Sequence, residues 1–346
     1  MTDTPLARTT WTAWTTYDQV GAALLAAFLG WAWVSALVNH TTAWPLTALL
    51  ITVAAVYAAG RSRADRLDAV VLGFTICLLV LVVIRPASVS GRPLAPPLHY
   101  GNADGALFAL GVAAAAIAAV RATPAQRLLR WTATGGLVLI TFATTSRAAA
   151  ALALAIVAVA PLAGRAAVRR WCAAIGLAAV AVAAVIVVAW AAGHPPLEAS
   201  RAESALSSRR VQLWSEADDL IRAEPLFGVG PGRFSVESPT AARFPSTSET
   251  HSEYLQVAAE TGIPGAALLA ALVGWVFGAL HRSRRDPRAV VIATAAAASL
   301  GIQGAIDYVW HFPAIMVVGA ALLGVTTAIS GPRAAATNPK GRRTGP

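Results

Sequence analysis

Residues 171–192 read WCAAIGLAAVAVAAVIVVAWAA, an apolar run without a charged residue. At 1.5 Å rise per residue, a helix of that length crosses the roughly 30 Å hydrocarbon core of a bilayer. Comparable runs recur along the chain, separated by short arginine-bearing links. They predict about ten transmembrane helices, at roughly 17–38, 44–59, 67–84, 104–120, 131–146, 148–163, 171–192, 263–280, 289–306 and 312–329. Of the 346 residues, 57% are hydrophobic and only 13% charged, against about 25% charged in soluble domains. The mean hydropathy of +0.61 agrees. The fold class is therefore an all-α polytopic membrane protein of about ten transmembrane helices. One long extracytoplasmic loop, containing amphipathic helices, interrupts it.

The formal charge of +10 would suggest a nucleic-acid partner in a soluble protein. Here the arginines sit at the ends of apolar runs, which makes the lipid bilayer the partner and gives no role to nucleic acid. Arg61, Arg63 and Arg66 share one link, Arg121, Arg127 and Arg130 another, and Arg165, Arg169 and Arg170 a third. His281–Arg288 is equally basic, whereas the intervening short links hold only Arg85, Arg92 and Arg147. By the positive-inside rule both termini are cytoplasmic and the long loop lies outside. Four regions follow: an N-terminal transmembrane region of about seven spans (1–192), the extracytoplasmic loop (193–262), a C-terminal region of about three spans (263–330), and a basic cytoplasmic tail (331–346). Tyr17 to Val38 reads as an uncleaved first span, because the polar residues before it are not followed by an A-x-A-like site. Trp31, Trp33, Trp44, Trp190 and Trp310 fall at predicted outer ends, Trp131 and Trp171 at inner ones, as in aromatic belts. Cys77 and Cys172 have no CxxC partner and read as packing residues.

Most of the concentrated polarity lies between Ser208 and Gly265. Arg209 and Arg210 precede a stretch in which Val211, Leu213, Trp214, Ala217, Leu220 and Ile221 make an apolar helix side, suited to a membrane surface or to other spans. Pro225 ends it, and GVGPG (228–232) is a turn whose backbone N–H groups are weak grounds for phosphate binding. His251 opens a second helix, with Thr250 or Ser248 as a cap and Glu253 in its first turn; Glu260 precedes the Gly262–Pro264–Gly265 break. Imidazole as a side-chain type titrates near neutral pH, which suits it to accept a proton from a hydroxyl. Asp307 and His311, in the short DYVWHFP link, are expected to face one external cavity, and two readings fit Asp307: it orients His251 or an arginine, or it is an interfacial carboxylate with no catalytic duty. No His/Asp/Glu set has zinc spacing, so neither metal nor cofactor is expected. The segment from Trp131 to Gly164 is short for two full crossings, which places the Arg147 turn below the outer surface. Two readings fit Arg147: its side chain snorkels to lipid phosphate, or it grips a phosphate-bearing substrate in bidentate fashion.

These segments together resemble the O-antigen ligase and O-antigen polymerase superfamily of bacterial membrane glycosyltransferases. TTSRAA (144–149) is similar to its S-R-x-A turn, SSRRVQLW (207–214) with PLFGVGPGRF (225–234) to its R-x-x-x-W … PLFGVGPG-x-F signature, and HSEYLQVAAETGIPG (251–265) to H-N-x-Y-L-Q … E-x-G-I-x-G. DYVWHFPA (307–314) resembles a frequent late element. The resemblance implies transfer of a glycan from an undecaprenyl-diphosphate carrier to an acceptor hydroxyl of a glycan, lipid or protein, at the outer face of the bacterial cytoplasmic membrane. The reaction it implies is metal-independent and inverting. By position, Arg147 and Arg210 would bind the diphosphate and His251 would activate the acceptor. Arg209, Glu253, Glu260, Asp307 and His311 are supporting candidates. The chain departs from the family in carrying Ser252 where the family has Asn, and in having fewer spans than the family's usual twelve or so. The main alternative is a polytopic transporter or flippase for an anionic or polar solute, and a third reading is an envelope-synthesis scaffold. Sparse intramembrane charge and the absence of matched broken helices argue against transport.

Overall fold

The computed structural model describes residues 15–63, 66–90, 92, 94–193, 208–244 and 247–327, and only the backbone of Ser208. The basic tail after Ser330, the N-terminal residues before Thr15 and the 194–207 part of the loop lie outside the described residues. Among those described there is no strand, and all ten positions expected to span are helical. Seven helices are long and apolar enough to cross a membrane. They are α1 (Thr16–Val38), α2 (Trp44–Ser62), α3 (Leu67–Ile84), α4 (Gly101–Val120), α7 (Ala166–Ala191), α11 (Glu253–Arg282) and α12 (Pro287–Ile306). The other three differ from their expected bounds. Helix α5 (Pro124–Ala143) starts earlier, with Thr123 before it and Pro124 at its first position, and takes Arg127 and Arg130 into the helix. Helices α6 (Arg147–Val159) and α13 (Pro313–Thr327) are short, α6 continuing only as a single 3-10 turn to Leu162. Between α7 and α11 lie α8 (Ser208–Ala223) and two one-turn helices, α9 (Phe234–Glu237) and α10 (Pro239–Arg243).

Burial separates centre from periphery. In its most apolar window α4 is 94% buried and α12 67%, while the other five long helices run from 6 to 28%. Small residues let α4 take that place, since GNADGALFALGVAAAAIAAV presents little bulk on any side. It packs against α3, α5, α6, α12 and α13; α2 lies against α13, α1 against α11, and α7 against α11 and α12. Asp18 closes one end of the bundle. It forms a capping box with Thr15, pairs with Arg61 at 2.7 Å, and accepts from Tyr57, while Arg61 also reaches the Thr327 carbonyl.

The opposite end carries α8–α10 and the start of α11, and two motifs lock it. Helix α11 is broken at Gly262 (φ 73°, ψ −178°), which frees carbonyls just before the break. The N–H groups of Val229 and Gly230 donate to the Ala259 and Glu260 carbonyls at 2.9 and 3.0 Å, and Ile263 N–H donates to Pro225 O at 2.8 Å. A Cβ at Gly262 would strike the Leu226 carbonyl, and one at Gly228 (φ 64°) would strike Ala259 O at 2.6 Å. The glycine-rich turn is thus a clasp for a helix break. Its N–H groups are spent within the protein, those of Val229 and Gly230 on carbonyls and that of Gly232 on the Glu260 carboxylate, so they are not available to a substrate phosphate. Helix α1 grips the clasp as well: Ser35 donates to Phe227 O, Asn39 to Gly228 O and Trp31 to Thr261 O. Trp31 also stacks on Phe227 with ring centroids 5.4 Å apart, and Trp190 is buried against α8. Both act as internal anchors and not as lipid-facing belt residues.

Gly262→Ala is expected to lose more than about 2 kcal/mol, from positive φ and the carbonyl clash together, seen as a large fall in thermal midpoint in detergent. At the other end, Asp18→Ala and Arg61→Ala should each cost about 3 kcal/mol. Their double variant should lose clearly less than the two together, because the first change already removes the shared pair; additive losses would show that the pair is not coupled.

Candidate active site

One buried carboxylate gathers the site. Asp307 caps the C-terminus of α12, is 3% exposed, and is reached by donors from four parts of the chain. Tyr100, at the N-cap of α4, places its hydroxyl 2.8 Å from both oxygens, and Asn102, two residues on, donates to Oδ2. Arg210 Nη2 donates to Oδ2 at 3.0 Å, His251 Nδ1 lies 3.0 Å from Oδ1, and the Tyr308 N–H donates to Oδ1 at 2.9 Å. Burial alone would push the Asp307 carboxyl up. The His251 hydrogen bond and the Arg210 charge outweigh it and hold the group below its ordinary value. Burial, followed by the Asp307 charge, raises the Tyr100 hydroxyl, and the same two causes push Tyr308 up to about 12. Both phenols are therefore neutral, and that of Tyr100 donates to the carboxylate.

Local structure explains why Arg210 and His251 meet. Leu213, Trp214 and Ala217 of α8 are buried against α7, α11 and α12, so the apolar side of this helix faces protein. Trp214 Nε1 donates to the His251 carbonyl at 3.3 Å. Arg210 lies one turn earlier on the same side, and the four-residue spacing brings its guanidinium to Asp307 and to the Ile306 carbonyl. His251 does not open α11: Ser252 is the N-cap, accepting from Leu255 N–H, and the helix starts at Glu253. Ser252 thus does the work of a cap where the family pattern has an amide. His251 itself sits in the left-handed region at φ 54°, clamped by Thr250, whose hydroxyl bonds both Ser252 N–H and Ser252 O.

Tyr100, Asn102, Arg209, Arg210, Leu213, Thr247 and His251 line a cavity of about 380 Å³. Arg209 lies at its edge with its guanidinium over the Phe244 ring, 4.4 Å from the centroid. Arg147 is not among the lining residues. It is exposed at the first position of α6, and the turn before it packs on the first turn of α4, where Gly101 and Gly105 leave room for Thr145 and Ser146. The structure therefore brings Arg210, His251 and Asp307 into one network, with Arg147 on the adjoining turn.

Glu253, Glu260 and His311 form a separate group, and His311 does not share a cavity with the Arg210–His251 pair. His311 lies 3.2 Å from Glu253 Oε2 and 3.7 Å from Glu249 Oε2. Gln256 bridges Glu249 and Glu260, and Glu260 accepts from the Gly232 N–H at 2.9 Å. Burial alone would lower His311, but Glu253 first, then Glu249 and Glu260, push it up to about 9. Tyr100, Asn102, Tyr308, Glu249 and Gln256 were not singled out in the sequence. The available signal was polar: Tyr-Gly-Asn at the head of an alanine-rich run, and a tyrosine directly after Asp307. Among the described residues, no three His, Cys, Asp or Glu side chains are grouped to hold a metal ion.

No curated protein matches the chain. Residues 132–270 match the protein family described as O-antigen ligase. That stretch includes Arg147, Arg209, Arg210, His251 and the clasped helix break, while Tyr100, Asn102 and Asp307 complete the network from outside it. The match covers about two fifths of the chain, so it is residues 132–270 that are similar to the O-antigen ligase family.

Proposed function

We propose that the protein is a glycosyltransferase that transfers or polymerises a glycan from an undecaprenyl-diphosphate carrier onto an acceptor hydroxyl, at the outer face of the bacterial cytoplasmic membrane. The observation that carries this reading is the single carboxylate, Asp307, shared by Arg210 and His251 at the wall of one cavity. Alternation of arginine-rich and arginine-poor links supports the outward orientation, with residues 193–262 as the extracytoplasmic segment between the 1–192 and 263–330 membrane regions.

The geometry supports the following chemistry. With its Nδ1 proton donated to Asp307, the tautomer assigned from that bond, His251 keeps its Nε2 lone pair for the acceptor hydroxyl. As the acceptor oxygen bonds to the anomeric carbon, its proton passes to Nε2. The bond from that carbon to the diphosphate oxygen breaks, and its electron pair leaves with the phosphate. Attack from the face opposite the leaving group inverts the anomeric centre. Arg210 commits only part of its five donors to Asp307, Tyr100 and the Ile306 carbonyl, so others face the departing charge. Arg209 adds positive charge at the same cavity, the resemblance gives Arg147 the same duty from the adjoining turn, and fixed guanidinium groups stabilise such charge without needing to reorganise. Asp307 positions His251 and balances the imidazolium formed. Glu253, Glu260 and His311 support the segment that carries the base.

His251→Ala is expected to lower glycan transfer about 10²- to 10⁴-fold, and Arg210→Ala or Arg147→Ala about 10²- to 10³-fold, with membrane insertion unchanged. The assay is release of undecaprenyl diphosphate by purified protein given carrier-linked glycan and acceptor; wild-type rates in all three variants, or translocation of the glycan without bond cleavage, would overturn the assignment. Asp307→Asn should reduce kcat at least about a hundredfold with little change in KM. A change confined to KM would instead make Asp307 a substrate-binding group.

A further inference from the structure

A second cavity, of about 710 Å³, lies between α1, α2, α11, α12 and α13. That volume exceeds the small voids of a close-packed interior and falls within the ligand-pocket range of roughly 300–1,000 Å³. Its wall is aliphatic and aromatic, with Leu25, Phe28, Leu50, Val53, Leu272 and Leu323 among the lining residues. Helix α2 lines it from Pro45 to Tyr57, roughly 18 Å of helix at 1.5 Å per residue, more than half of the roughly 30 Å bilayer core. Asp18 and Tyr57 form its floor, where the Arg61 pair and the close approach of α2 and α13 at Gly60 and Gly324 shut the bundle. At the other end its lining changes to Glu249, Glu253, Gln256, Glu260 and His311.

The two cavities therefore carry opposite charge. Arg209 and Arg210 line the smaller one, whereas three carboxylates with one histidine form the mouth of the larger. Tyr308 stands between them: its ring centroid is 4.9 Å from that of His251 and 6.0 Å from that of His311. His251 and Glu253, two residues apart, open onto different cavities. Carboxylates hold lone pairs that accept from hydroxyl groups, and their net charge disfavours a phosphate-bearing head.

We propose that the larger cavity seats the acceptor as a neutral glycolipid, its apolar chain against α1, α2 and α13 and its hydroxyl-rich head in the carboxylate mouth. The word acceptor rests on the function proposed above; binding of a neutral glycolipid does not. Two photoreactive probes test it on full-length protein in phosphatidylcholine nanodiscs: a neutral glycolipid with a diazirine in its chain, and a polyprenyl diphosphate labelled likewise. The glycolipid should crosslink to α1 and α2, and Leu50→Trp should reduce that labelling at least about tenfold, leaving Arg210-dependent labelling by the diphosphate probe unchanged. Val53→Phe, a smaller intrusion, is read in the same way, and retained diphosphate labelling shows that either variant is folded. Equal labelling of this wall by a diazirine phosphatidylcholine or by the diphosphate probe, or glycolipid labelling indifferent to both substitutions, would overturn the proposal. Diphosphate labelling that ignores Arg210→Ala would instead sink the donor site, whatever the glycolipid does.

Discussion

The Asp307 carboxylate is the constraint on which the rest of this site depends. A buried anion is tolerated only when its oxygens are bonded and its charge is answered. Here Tyr100 and Asn102 come from α4, Arg210 from α8, His251 from the segment before α11, and Tyr308 from the chain's own next peptide. None of these elements is adjacent to another in sequence. Meeting the demand of one carboxylate therefore fixes the relative placement of the central helix, the loop helix and His251. The same carboxylate gives His251 its tautomer and holds Arg210 extended, so structural need and chemical need are met by one group.

A second constraint makes the first attainable. His251 has to be delivered at the head of a helix that also crosses the bundle, and α11 manages both only by breaking at Gly262. The freed carbonyls of Ala259 and Glu260 need donors, and the N–H groups of Val229 and Gly230 supply them. Glu260 completes the clasp from the side-chain direction through the Gly232 N–H. The two glycine-containing motifs are thus halves of one backbone joint. Positive φ at Gly228 and Gly262, with carbonyls where a Cβ would be, accounts for glycine at both positions.

Much of this was legible in the sequence. Hydropathy located every helix of the bundle, because a span must be long and apolar whatever it packs against. Arg210 was reached through the resemblance, as the arginine four residues before Trp214 in an R-x-x-x-W signature. Helix ends were less legible: α5 extends back to Pro124 through two arginines that hydropathy assigns to a link. Tyr100 and Asn102 were invisible for a different reason. Their roles arise from a contact with Asp307 across some two hundred residues of chain, and nothing local marks a tyrosine at a helix head as a carboxylate partner. The split of Asp307 from His311 was equally hidden, because Asp307 turns inward to the Arg210–His251 network while His311, four residues on, opens onto the larger cavity.

The backbone at His251 joins these points. A non-glycine residue at φ 54° costs on the order of 1–3 kcal/mol, and it persists only where its surroundings overdetermine it. The surroundings here are explicit: Thr250 clamps Ser252 from both directions, Gln256 accepts from the Thr250 N–H, and Trp214 holds the His251 carbonyl. An extended backbone at this residue would turn the imidazole away from Asp307, and a helical one would carry it onto α11 as another first-turn side chain. The left-handed conformation lets residue 251 face the arginine-lined cavity while residue 253 faces the carboxylate mouth. The proposed base would be held at such a reversal, and the surrounding bonds supply the stability that the strained residue lacks.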